Sequence, residues 1–153
     1  MRIVRIILLL MVMAMSSHNG MYAQLKKTAN IEKVKTFTNG SVVLNKTTKD
    51  SVSIYSVTLR NNSKFHENIV FFLGTEDDLL KNLRDLSNAL KDGKKGDNFD
   101  FSAIGVDYNL SYDKVLGQVC FKIRKPSSIS TDFGRLYKAT IDDIIEYYTK
   151  EDE

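Results

Sequence analysis

The sequence predicts an α+β protein, mainly antiparallel sheet with two amphipathic helices behind an N-terminal signal peptide, and three observations carry that reading. The apolar run Ile69-Val70-Phe71-Phe72-Leu73 is too short for a buried helix and suits a strand. Beyond Gly74 it meets Thr75-Glu76-Asp77-Asp78, after which Leu79, Leu80, Leu83, Leu86 and Leu90 share one helical face. The same pattern, T-x-D-D before two aliphatics, returns at Thr140-Ile141-Asp142-Asp143-Ile144-Ile145.

Each T-x-D-D segment reads as a helix start. The Thr75 hydroxyl is placed to accept from free backbone N–H groups of the first turn, and the acids suit the positive end of the helix dipole. Asp92-Gly93 supplies the stop of the first helix, with Lys91 near its negative end. Catalytic use of Asp77/Asp78 or Asp142/Asp143 therefore weighs less than capping.

Arg2 and Arg5 precede an apolar core, Ile6 to Met15, and a more polar stretch from Ser16 to Gly20 follows. This is the three-part plan of a secretory signal peptide, residues 1–23, cleaved after Ala23. The apolar run is about half the roughly 20 residues that span a bilayer. Export to the periplasm or the medium is expected. Without Arg2 and Arg5 the 22 basic residues become 20 against 19 acids, so the mature chain is near neutral. Charge alone then weighs against nucleic acid or an anionic membrane as partner. The remaining length suits a single domain, 34–150, after a flexible polar lead-in at 24–33. With Cys120 the only cysteine, packing rather than an internal disulfide must hold it.

In chain order, Lys35 to Thr38 and Ser41 to Leu44 flank Asn39-Gly40, a dipeptide suited to a type I′ hairpin turn. Asn45 to Asp50 reads as a polar connection. Ser51 to Arg60 alternates, with a phase change at Tyr55-Ser56-Val57 that predicts a bulge. Asp92 to Asn98 reads as a surface loop. Phe99, Phe101 and Ala103, then Val106, Tyr108, Leu110 and Tyr112, then Val119, Phe121 and Ile123 alternate with polar residues, as strands with one wet face do. Arg135 to Ala139 gives the last strand, and Ile141 to Lys150 the last helix, with Ile141, Ile144, Ile145 and Tyr148 as its stripe.

Four strands before each helix make a ββββα unit twice over, with halves 34–92 and 98–150. A true duplication and the same capping physics acting twice both explain the likeness. The plan is similar to that of Pur-type and whirly single-strand nucleic-acid binders. It is a likeness of arrangement, and their function does not follow from it for a near-neutral, exported chain.

For chemistry, the mature chain holds one histidine, His66, and one cysteine, Cys120, too few for a zinc site of the usual kind. Lys94 and Lys95 interrupt the acids of the Asp92 to Asp97 loop, against calcium. No metal and no cofactor is expected. A thiol or hydrolytic enzyme would have to use Cys120 and His66, or carboxylates beyond the caps, but a lone mid-strand cysteine reads first as a small packed hydrophobe. Lys122, Arg124 and Lys125, with Tyr108 and Tyr112 placed beside them, make a candidate binding surface for an anionic glycan, a nucleic acid or an acidic protein. The leading expectation is a non-enzymatic exported module that binds a protein partner. The thiol or hydrolytic enzyme and the polyanion binder are the alternatives.

Overall fold

The structure is a computed structural model that describes residues 29–63, 67–124 and 131–150. The segment 1–23 expected to be a signal peptide, His66, Lys125 and the acidic tail lie outside the described residues.

The chain is α+β and runs through ββββα twice. The first half comprises β1 (Asn30–Phe37), β2 (Val42–Lys49), β3 (Val52–Leu59), β4 (Ile69–Thr75) and α1 (Glu76–Asp92). The second comprises β5 (Asn98–Ala103), β6 (Val106–Val115), β7 (Gln118–Arg124), β8 (Phe133–Tyr137) and α2 (Lys138–Lys150). Each set of strands forms its own antiparallel meander, ordered β1-β2-β3-β4 and β5-β6-β7-β8.

Both sheets turn their apolar faces to one core. Leu79, Leu83, Leu86 and Leu90 of α1 and Ile141 and Ile144 of α2 are buried there with Leu44, Val57, Phe71, Leu110 and Phe121 from the strands. The Phe71 ring joins the sheets, lying 5.2 Å from Phe101 and 4.7 Å edge-on to Tyr108. The phase change in β3 is a register shift. Ser56 pairs with Phe72 and Tyr55 with Gly74, leaving Leu73 as the extra residue. Gly74 is required at the exit: its φ is +126°, and a Cβ would fall 2.8 Å from Asn82 Nδ2. That nitrogen donates to the Leu73 carbonyl at 2.7 Å, tying β4 to α1.

Several boundaries differ from the sequence expectation. Asn30 to Lys33, assigned to a lead-in, already belong to β1 and pair with β2. Asn45 to Lys49 form the second half of β2, which is central and pairs on both sides. Three hairpins close on two residues that both have positive φ, the type I′ signature: Asp50-Ser51 (48° and 68°), Ile104-Gly105 (48° and 78°) and Leu116-Gly117 (51° and 85°). Asn39-Gly40 does not make such a turn. Phe37 pairs with Val42, and Thr38–Gly40 form a 3₁₀ turn between them. A tertiary contact explains the difference, because the Thr38 hydroxyl shares a 2.7 Å hydrogen bond with that of buried Thr140 on α2.

The two helix starts also differ. Thr75 is the N-cap of α1, but its hydroxyl donates to Asp78 Oδ2 at 2.9 Å and caps no backbone N–H. β8 passes directly into α2 at Lys138, three residues before the predicted start. Asp142 and Asp143 therefore lie beyond the first turn and are not caps.

The sheets meet along a seam. Asn61 bridges to Gly134, Asn62 N–H donates to the Phe133 carbonyl at 2.9 Å, and Phe133 N–H donates to Asn62 Oδ1 at 2.6 Å. Gly134 allows the approach, since a Cβ there would stand 2.7 Å from Leu59 Cβ. No helix among the described residues is long and apolar enough to cross a membrane.

Candidate functional site

The alternation of β7 places Cys120, Lys122 and Arg124 on the outer face of the second sheet. Their cross-strand neighbours include Asp113, Ser111, Arg135 and Tyr137. Lys122 Nζ and Arg135 Nε each stand 3.5 Å from Asp113 Oδ2, and both cations lie over the Phe133 ring, at 5.2 and 4.7 Å. Burial pushes the Asp113 carboxyl up. The Lys114 backbone N–H, Lys122 and Arg135 outweigh it, and the net shift is below the ordinary value.

Of the residues expected to form a basic aromatic surface, the structure brings few together. Lys122 is engaged with Asp113, Arg124 is exposed, and Lys125 is outside the described residues. Tyr108 and Tyr112 point the other way, into the protein. The Tyr108 ring is 4 % exposed, and its hydroxyl accepts the Phe72 N–H at 3.2 Å. The Tyr112 ring packs where a Cβ on Gly93 would meet it at 2.9 Å. The cause is register: Ser111, not Tyr112, stands opposite Lys122.

Cys120 shares the outer face yet has no exposed surface. Burial, with Asp113 adding to it against Arg135 and Lys122, pushes its thiol up to about 11, so it is protonated at neutral pH. A nucleophilic thiol needs the opposite environment. The acid pairs separate as well. Asp77 and Asp78 are exposed on the first turn of α1. Asp142 accepts from Ser87 Oγ at 2.6 Å and Lys138 Nζ at 2.7 Å, and so joins the two helices. Among the described residues no cluster of three or more His, Cys, Asp or Glu is placed to hold a metal ion.

Asp143 faces a groove that no motif announced. It runs between the end of β1 and the outer face of α2, encloses about 460 Å³, and is lined by Lys35, Phe37, Thr38, Asp143, Glu146, Tyr147 and Lys150. Lys35 Nζ sits 4.5 Å over the Tyr147 ring and 5.4 Å from that of Phe37. Glu146 pairs with Lys150, whose hydrogen bond and charge, with Lys35 adding, hold its carboxyl below the ordinary value. The groove thus has an aromatic floor and a rim carrying both signs of charge. One trace of it was in the sequence: Tyr147 is a large aromatic off the Ile141, Ile144, Ile145, Tyr148 stripe.

No protein-family model, curated protein or solved structure matches this chain.

Proposed function

We propose that this chain is an exported, non-enzymatic domain that binds a protein partner, with a segment of that partner lying in the groove between β1 and α2. One observation carries the reading. The groove joins the Phe37 and Tyr147 rings to a rim of Lys35 and Lys150 against Asp143 and Glu146. Protein interfaces combine an aromatic centre with such a polar rim. Export rests on the N-terminal pattern of Arg2, Arg5 and the apolar run behind them.

Two carboxylates in one groove, Asp143 and Glu146, favour a second reading, hydrolysis by paired acids. It is the weaker one. A general acid needs a raised carboxyl, and Glu146 is shifted the other way by Lys150.

The test is co-purification of the tagged mature chain from its own host, compared with a Lys35→Glu/Tyr147→Ala variant. The predicted result is a protein retained in stoichiometric amount by the natural sequence and lost from the variant, whose thermal unfolding is little changed. Equal retention by both would contradict the groove as the site.

A further inference from the structure

We propose that a second cleft, at the seam between the sheets, binds an oxyanion, a phosphate or sulfate group, through Arg60 and Arg135. The cleft encloses about 230 Å³ and shares no residue with the groove described above. Arg60 directly follows β3, and Arg135 is the middle residue of β8. The Asn61 to Gly134 bridge and the paired Asn62 and Phe133 bonds bring these two segments together, so one guanidinium from each sheet lines the same opening.

Charge in the cleft is only partly balanced. Asp113 is shared between Arg135 and Lys122, one carboxylate for two cations. Arg60 is exposed and makes no ion pair among the described residues. Asp132, which stands 3.4 Å from Asn61 Nδ2, does not line the cleft. Arg135 Nε is buried and faces Asp113 Oδ2 at 3.5 Å, an ion-pair contact rather than a formed hydrogen bond. Guanidinium forks match the oxygen edge of a phosphate or sulfate.

The remaining walls fit the same ligand. Asn62 Oδ1 is occupied by Phe133 N–H, which leaves the amide NH₂ as its available donor. The Ser41 hydroxyl already donates to the Thr38 carbonyl and adds no donor for an anion. Tyr137 supplies a ring at the wall for whatever carries the group. Selectivity for an oxyanion over chloride comes from the two forks, not from net charge.

The experiment is an NMR titration of the mature chain with inorganic phosphate, sodium chloride holding the ionic strength constant. The predicted result is saturable shifts confined to Arg60, Asn62, Arg135 and Tyr137. Arg60→Gln should weaken binding by about tenfold, the loss of one charge-assisted contact, with thermal unfolding unchanged in the absence of phosphate. Arg135→Lys, which keeps the charge beside Asp113, should weaken it as well. Shifts that never saturate, that spread over exposed lysines, or that survive unchanged in Arg60→Gln would overturn the proposal. Because the sites share no residue, failure here leaves the groove reading intact.

Discussion

A methyl group at Gly134 would press on Leu59 Cβ from 2.7 Å, at the seam where Asn61 bridges to Gly134. Both atoms are fixed to backbone, so neither can swing aside. Gly134→Ala should destabilise the protein by about 1–3 kcal/mol in urea unfolding, as overpacking does. Cys120 gives a second test at this scale. Its thiol ionises near 9 in the unfolded chain and near 11 when folded, so its contribution to stability is complete below pH 9 and lost as pH rises toward 11. Buried Tyr108 is raised as well and adds loss at the alkaline end. Thermal unfolding across that range should fall steeply, and Cys120→Ala should flatten the fall. Asp113 works in the opposite direction. Its depressed carboxyl stabilises the fold above the ordinary carboxylate range, and that contribution disappears as pH falls through its folded value, so Asp113→Asn should show a shallower acid loss. Cys120 as a packed residue was legible from its strand position. The inward direction of Tyr108 was legible too, from its alternation with Asp107 and Asn109. That Lys122 faces away from it depends on which residues of β6 and β7 stand opposite, which one strand alone does not state.

At the scale of the element, the two T-x-D-D segments are alike in sequence and unlike in use. Asp77 is exposed at the first turn of α1, whereas Asp142 ties α2 to Ser87 of α1. Asp77→Ala should therefore cost less than about 1 kcal/mol, a helix-dipole effect. Asp142→Ala should cost about 1–3 kcal/mol, because it strands the Ser87 hydroxyl and the Lys138 ammonium. Unfolding midpoints of the two variants decide it, and equal losses would contradict a stabilising tie between Asp142 and Ser87. The alternating strands β5, β6 and β7 were readable because one face is wet and one dry. The second half of β2 was not, since Asn45 to Lys49 gain their pairing from neighbours on both sides and show no strong apolar alternation. The early start of α2 was hidden for a related reason: Thr140 is held by Thr38, a residue distant in sequence.

At the scale of the whole molecule, four strands and a helix recur in the same order, and the sequence carried that plan through its apolar periods and its two leucine- and isoleucine-striped helices. The candidate sites were not legible in the same way. The groove joins Lys35 and Phe37 on β1 to Tyr147 and Lys150 on α2, and the seam joins Arg60 to Arg135, pairs that meet only when the second half folds against the first. No local spacing encodes such a meeting. The most direct measurement is photo-crosslinking in the native host with a benzophenone residue in place of Tyr147, and in place of Asn88, exposed on α1, as the control. A discrete protein adduct from the Tyr147 position alone, abolished by adding Lys35→Glu, is the predicted result. No adduct there, or the same adduct from Asn88, would contradict a partner-binding groove.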